Sequence, residues 1–402
     1  MNFKQRLMII AIACSFIHVA VAAVDMQAHV ASDEGKAAYT AYIAKQNAYY
    51  QGNFSYQSLM ALIGDPLFGA VNTLMGNTCL LERGSYDYGK LRYSYIDVDK
   101  DLNTSGNIIG YYDGRSMSGT WGTGYNREHT WPQSKGANKN ITMGHDMQSV
   151  RPTSTSVNSD RGNTAYGEGA NYYDPNDVKI NNTNYKTINM GSYRGDAARV
   201  ILYDYIVYGS VGSYKNNLYN GNAQLLNKLG TEGVFESLRV LVKWHMQDPP
   251  SLTEMVRNDG AQQYQGNRNP FIDYPELVVQ MFKNNSSITT YNVQYSTDAT
   301  VAPRYAYTTQ DGFITYLSYS DGTHPQSVTV TGANATYEPT LGRLILTNIT
   351  SNVGIQTTLL SNLIDTTTPI GTTQKIMKDG HLLIKQGETY YNIYGERVRQ
   401  LD

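Results

Sequence analysis

The sequence predicts an α+β protein, with a mixed α/β unit ending near residue 285 and a small all-β domain after it. Three observations point there. Residues 195–208 place Ala198, Val200, Ile201, Tyr205 and Ile206 in one apolar stripe, and residues 234–246 repeat the pattern with Leu238, Leu241, Val242 and Trp244, which is the helical period. After Asn285 that period stops, and Thr, Ser, Tyr and Val dominate short runs punctuated by Gly and Asn, the pattern of strands and turns. Between these extremes, residues 124–163 read as strand, loop, strand and helix start, a ββα unit. The 402 residues exceed one average domain and suggest two or three units. A formal net charge of −2 excludes a global basic field, so phosphate binding would need a local patch.

The N-terminus reads as a secretory signal peptide over residues 1–23. Lys4 and Arg6 precede an apolar run over residues 7–21, closed by Ala20-Val21-Ala22-Ala23. The run is short for a membrane anchor, and no later stretch is long and apolar enough to span a bilayer. The expected location is therefore outside the cytoplasm, secreted or periplasmic. There are two cysteines, Cys14 and Cys79; cleavage leaves Cys79 alone, which excludes an intramolecular disulfide and zinc sites built on Cys pairs.

The expected organisation is residues 24–285 as the mixed domain, 286–372 as a β-rich accessory domain, and 373–402 as a C-terminal β tail that loosely resembles a sorting segment of secreted hydrolases. Residues 32–63 contain helix-forming stretches, with Ala37, Ala38, Tyr42 and Ile43 on one face. Residues 92–95 and 108–112 read as short strands. Asp97-Val98-Asp99-Lys100-Asp101 opens like a calcium loop, but Leu102 stands where the loop needs Gly and Ile108 where it needs Glu, so an acidic surface turn is expected. Residues 145–152 read as a strand ending at Pro152, residues 155–163 as a short helix, and residues 171–192 as a loop. Pro249 and Pro250 stop the 234–246 helix, and Ser251-Leu252-Thr253-Glu254 has the spacing of a capping box.

The chemistry-bearing stretch is Gly124-Tyr125-Asn126-Arg127-Glu128-His129-Thr130-Trp131-Pro132. A histidine near its ordinary pKa is the usual general base at neutral pH, and a carboxylate is a hard oxygen ligand suited to Mg²⁺. As neighbours in a strand, Glu128 and His129 would point to opposite faces, so a shared site requires the strand to end or bend there. Asn158, at the start of the helix, would add a second oxygen ligand and leave the rest of a Mg²⁺ shell to water and phosphate. Arg115, Arg127, Lys135, Lys139, Arg151 and Arg161 make this region locally basic within an acidic chain, as a phosphodiester site requires.

Asn126-Arg127-Glu128-His129-Thr130-Trp131-Pro132 and Val157-Asn158-Ser159-Asp160-Arg161-Gly162-Asn163 resemble the endonuclease I family of His-Me finger (ββα-metal) nucleases. Gln265-Gly266-Asn267-Arg268-Asn269-Pro270-Phe271-Ile272-Asp273-Tyr274-Pro275-Glu276-Leu277 is similar to that family's closing signature, and the three matches fall in the family's order across residues 32–282. The resemblance implies a secreted, sequence-nonspecific endonuclease that hydrolyses DNA, RNA or both to 5′-phosphate products. It implies His129 as general base and Glu128 and Asn158 as ligands of one Mg²⁺, with Ca²⁺ or Mn²⁺ as substitutes. Arg127, Arg161 and Lys135 are expected to bind phosphate, the two arginines with Asp160 and Asp146 as alternative partners. Asp146, Gln148, Asn163 and Arg268 are expected to support the site rather than touch substrate. Relatives usually carry Asp-Leu-His where this chain has Asp146-Met147-Gln148, so that histidine is replaced by Gln148. The alternatives are a secreted binding or surface protein with a decayed nuclease unit, and a zinc hydrolase using His129 and His145. A monomer is expected.

Overall fold

The computed structural model describes residues 33–81, 88–168, 172–173, 187–214, 238–320 and 322–357, together with four strands between 373 and 398. The predicted signal peptide lies outside the described residues. No helix among the described residues is long and apolar enough to cross a membrane. Residues up to Thr357 form one compact unit, and Thr358–Asp402 a second.

The first unit opens with helix α1 (Asp33–Tyr49), then α2 (Tyr56–Met60) and α3 (Asp65–Thr78). Helix α3 starts after Gly64, whose φ of 65° suits glycine, and carries Pro66 in its first turn, where a missing N–H costs nothing. Leu67, Phe68, Val71, Leu74 and Met75 recur at helical spacing and are buried. Next come α4 (Leu91–Val98), the β1–β2 hairpin (Asn107–Ile109 with Ser116–Ser118), β3 (Tyr125–His129), β4 (Val150–Ser154) and α5 (Thr155–Arg161). Strands β5 (Ala165–Tyr166), β6 (Tyr172–Tyr173) and β7 (Thr187–Ile188) form a small parallel sheet in the order β5-β7-β6. The central helix is α6 (Arg194–Tyr208), buried on nearly every side; it packs against α3 and against α7 (Leu238–Gln247). Helix α8 (Leu252–Gln265) has the expected capping box: Glu254 N donates to the Ser251 hydroxyl and Ser251 N to the Glu254 carboxylate. Short helices α9 (Pro270–Asp273) and α10 (Leu277–Phe282) end the helical part.

Two four-stranded sheets follow. One has the order β10-β8-β15-β12 and the other β13-β14-β11-β9. Their strands are β8 (Thr290–Ser296), β9 (Thr300–Ala302), β10 (Tyr307–Thr309), β11 (Phe313–Ser318), β12 (Val328–Thr331), β13 (Asn334–Glu338), β14 (Arg343–Thr347) and β15 (Val353–Thr357). Inward residues such as Phe313, Leu317, Leu344, Leu346 and Ile355 join one continuous core with α3, α6 and α7. The second unit is an antiparallel sheet of β16 (Thr373–Lys378), β17 (His381–Gln386), β18 (Thr389–Tyr391) and β19 (Arg397–Val398) in sequential order.

Three local expectations are corrected. Residues 92–95 are helical: Leu91, Ser94, Tyr95 and Val98 are buried at the i, i+3, i+4, i+7 positions that define a helix face. Asp99 and Asp101 are buried, not on a surface turn; Asp99 accepts Arg257 Nε at 2.6 Å, and Asp101 accepts the Ser116 hydroxyl at 2.6 Å. The strand expected over 145–152 begins only at Val150 and runs through Pro152 to Ser154; among the described residues β4 forms a ladder with β3 alone, so a proline is tolerated there, and its carbonyl accepts Tyr111 N at 2.9 Å. Residues 142–145 instead form a 3₁₀ turn.

Candidate active site

Strands β3 and β4 pair antiparallel, with Glu128 opposite Arg151 and His129 opposite Val150. Ser154 ends β4 and caps α5 by accepting Val157 N at 3.4 Å, so the helix begins where the strand stops. Alternation along β3 separates its side chains. Asn126 and Glu128 meet α5, whereas Arg127 and His129 meet Tyr88. On α5, Asn158 and Arg161 are three residues apart and share a face. Asn158 Nδ2 donates to Asn126 Oδ1 at 2.6 Å and to the Arg127 carbonyl at 3.2 Å.

Glu128 is 3% exposed. Its Oε1 accepts Arg161 Nη1 at 2.6 Å and the Tyr112 hydroxyl, which itself lies 3.0 Å from the Tyr166 hydroxyl. Burial raises the Glu128 pKa, against the opposing pull of Arg161 and Tyr112. Among the described residues Oε2 accepts no hydrogen bond. Neither does Asn158 Oδ1.

His129 is buried at the end of β3. The Ala137 backbone favours the protonated ring, and Nδ1 is buried without a hydrogen-bond partner among the described residues. Its Nε2 lies 3.5 Å from the Tyr88 hydroxyl, a long and weak contact. Burial is the largest influence on the ring and, with the charges of Arg127, Arg161 and His145, lowers its pKa to about 4. The ring is therefore neutral at pH 7, with one ring nitrogen able to accept a proton.

The expected phosphate contacts divide. Arg161 is 1% exposed, and its guanidinium is committed to Glu128, to the His129 and Thr130 carbonyls at 2.8 and 2.7 Å, and through Nε to the Thr164 carbonyl at 3.0 Å. From this position it cannot reach a substrate; it orients Glu128 and the end of β3. Arg127 is half-buried, lies over the Tyr88 ring at 3.9 Å from its centroid, and has no carboxylate partner among the described residues. Neither arginine pairs with Asp160 or Asp146. Lys135 is half-buried, with its pKa lowered by burial and then by Arg161. The basic patch is thinner than the sequence suggests, since Arg115 lies 3.5 Å from Asp113 and Arg151 3.4 Å from Asp99.

The expected supporting residues occupy different places. Asp146 is fully buried and accepts the Tyr203 and Tyr208 hydroxyls at 2.6 and 2.5 Å, Gln148 N at 2.7 Å and Gln265 Nε2 at 2.8 Å. Gln148 donates to Asn258 Oδ1 at 2.8 Å and accepts from Arg257 at 3.1 Å, tying the approach to β4 onto α8. Arg268 holds Asp273 bidentately and reaches Asp259 and Gln262. These three brace the scaffold and touch none of Glu128, His129 or Asn158. Asn163 is exposed in the turn after α5, with no described contact to the site. Sequence reasoning missed Tyr88, Tyr112, Tyr166 and Trp121. Among 34 tyrosines nothing in the sequence marks the three that surround the Glu-His pair.

The fit to a divalent cation rests on donor chemistry. Glu128 Oε2 and Asn158 Oδ1 are hard oxygens without a donor among the described residues, the set Mg²⁺ accepts when water and phosphate complete its shell. No group of three His, Cys, Asp or Glu side chains that could hold a metal occurs among the described residues, which leaves the zinc alternative without its ligands.

The family model described as Endonuclease I matches residues 96–276, which include β3, β4, α5 and α8. An extracellular ribonuclease of Bacillus amyloliquefaciens is 32% identical over 211 residues, 46% of this chain and 67% of the relative. An extracellular ribonuclease of Bacillus subtilis (strain 168) is 27% identical over 262 residues, 61% of this chain and 84% of the relative.

Proposed function

This chain belongs to the endonuclease I family, and from that premise we propose that it is a secreted, metal-dependent endonuclease that cuts RNA, DNA or both through a ββα-metal site. The observation that carries the reading is the junction of β3 with α5: a buried Glu128 and an Asn158 each keep an oxygen unengaged, and the next residue along β3, His129, is held neutral where the strand ends. Both Bacillus relatives are named as extracellular ribonucleases, which supports secretion and an RNA substrate.

In this reading His129 Nε2 takes a proton from water as the oxygen attacks phosphorus. The P–O3′ bond breaks and the leaving 3′ oxygen takes a proton from solvent, giving a 5′-phosphate and a 3′-hydroxyl. The negative phosphate of a bound substrate raises the imidazole pKa from its low resting value toward the working pH. Glu128 and Asn158 would hold a divalent cation, Mg²⁺ first and Mn²⁺ or Ca²⁺ as substitutes, which would offset the negative charge that develops as the phosphodiester is cut. Arg161 and Tyr112 fix the Glu128 carboxylate, so the ligand is oriented before substrate arrives. Arg127 and Lys135 supply the positive charge that receives the phosphate backbone.

The test is digestion of plasmid DNA and of RNA by the mature protein, with Mg²⁺ or EDTA, beside His129→Ala. The expected result is cleavage that EDTA abolishes and that falls by about 10²- to 10⁴-fold in the variant, the loss typical of a general base. Cleavage that survives both changes overturns the mechanism. Absence of cleavage by the wild type would favour the decayed-nuclease alternative, in which the β-rich region binds a partner.

A further inference from the structure

A row of flat groups leads to His129. Trp121, the Arg127 guanidinium, Tyr88 and the His129 imidazole follow one another, at 4.7 Å from Trp121 to Arg127, 3.9 Å from Arg127 to Tyr88 and 5.5 Å from Tyr88 to His129. Arg127 Nη1 donates to the Tyr88 carbonyl at 2.6 Å, which locks the guanidinium between the two rings. It makes no other hydrogen bond among the described residues, so Nε and Nη2 keep their donors.

Trp121 differs from the other two tryptophans. Trp131 and Trp244 are fully buried and donate their indole N–H to the Lys135 carbonyl at 2.8 Å and to Glu168 at 2.6 Å. Trp121 is half-buried and donates to nothing among the described residues. It sits in Gly119-Thr120-Trp121-Gly122-Thr123-Gly124, where Gly122 and Gly124 take φ of 87° and 116°, conformations a side chain would strain. Arg127 and a perpendicular contact with Tyr125, at 5.4 Å between ring centroids, hold the indole in place. A partly exposed indole and a neighbouring cation, neither with a hydrogen-bonding or acidic side-chain partner among the described residues, match the two surfaces of a nucleotide. Bases stack on aromatic faces whatever their sequence, and a guanidinium donates to phosphate.

We infer that Trp121 and Arg127 form a subsite for one unpaired nucleotide flanking the scissile phosphate, its base on the indole and its phosphate on the open guanidinium donors. This rests on the nuclease reading above and adds the form of substrate. In a duplex both faces of a base are covered by its neighbours, so the subsite selects single-stranded RNA or DNA over duplex. The sequence tolerance of stacking leaves cleavage nonspecific.

The experiment separates binding from cleavage. Inactive His129→Ala protein, in EDTA, is titrated with a fluorescently labelled single-stranded 12-mer and with the same sequence as a blunt duplex. Adding Trp121→Ala should weaken single-strand binding about tenfold, the size of one stacked base, and leave duplex binding within about twofold. Trp121→Phe, which keeps a ring, should recover most of the affinity; thermal midpoints of both variants check that the fold is intact. Single-strand quenching of the intrinsic fluorescence is also expected, because Trp121 is the one of three tryptophans that is not fully buried. Single-strand affinity unchanged by Trp121→Ala, or an equal loss on duplex, overturns the subsite. If the wild type cleaves neither substrate, the nuclease reading fails by itself, and the titration still decides whether the subsite exists.

Discussion

At the scale of single residues, the two arginines flanking the Glu-His pair do different work, and burial decides which. Arg161 and Glu128 are both removed from water, and removing one partner of such a pair leaves the other uncompensated at a cost of about 3–5 kcal/mol. Arg161→Ala should therefore lower the urea midpoint strongly, and its loss of activity should follow its loss of fold. Arg127 is half-buried and pairs with no carboxylate among the described residues, so Arg127→Ala should cost about 1 kcal/mol of stability, the scale of its ring contacts, yet raise KM for nucleic acid. Urea unfolding beside steady-state kinetics checks the split; a wild-type midpoint for Arg161→Ala would show that Glu128 does not depend on it. Tyr112→Phe falls between. It removes a donor from a buried carboxylate and should cost about 1–3 kcal/mol, read as a lower thermal midpoint.

At the scale of elements, the site is a junction in which one residue serves two structures. Ser154 closes β4 and caps α5, and α5 presents Asn158 and Arg161 to β3. Ser251 caps α8, which braces the scaffold. Each Ser→Ala change should cost about 1 kcal/mol in thermal or urea unfolding, but Ser154→Ala alone should reduce turnover under conditions where both proteins are folded. Equal activity in the two variants would mean that the start of α5 does not set the position of Asn158. The same contrast explains what the sequence made legible. The capping box of α8, the stripes of α6 and α7, and the strand-strand-helix order were readable because each depends on spacing within one short segment. The helix at α4 is hard to read because Arg92 and Tyr93 interrupt a face defined by Leu91, Ser94, Tyr95 and Val98. Tyr112, Tyr88 and the Asp99–Arg257 pair were not readable, because they join positions 16, 41 and 158 residues apart and only the fold brings them together. Arg161 was named as a site residue, but whether an arginine faces phosphate or carboxylate depends on burial, which a local motif does not encode.

At the scale of the molecule, the helical part is tied together by a buried charge cluster centred on Arg199. Arg199, in the middle of α6, holds Glu254 bidentately at 2.7 and 2.6 Å, donates to the Asp248 carbonyl at 2.6 Å and lies 3.3 Å from Asp196. The Asp248 carboxylate accepts Gly195 N at 2.8 Å, so the start of α6, the end of α7 and the start of α8 meet at one guanidinium. Burial raises the pKa of Asp196 and Asp248, with Glu254 pushing the same way and Arg199 opposing it. The sign follows from linkage. A carboxyl whose folded pKa lies above its unfolded value binds more protons when folded, so its contribution to stability is full at low pH and is lost as pH rises through that window. In the wild type Arg199 limits the loss. Arg199→Leu removes the compensation, so the folded carboxyl pKa values should climb further and the deficit should grow with pH. The expected result is a variant destabilised at pH 5 and more so at pH 7, the gap from wild type widening by about 1.4 kcal/mol per pH unit for each proton held in the folded state alone. Urea titrations of both proteins across pH 4.5–8 measure it. A gap that stays constant with pH would show that the carboxylates reach solvent when the arginine is gone, and that packing rather than charge joins the three helices.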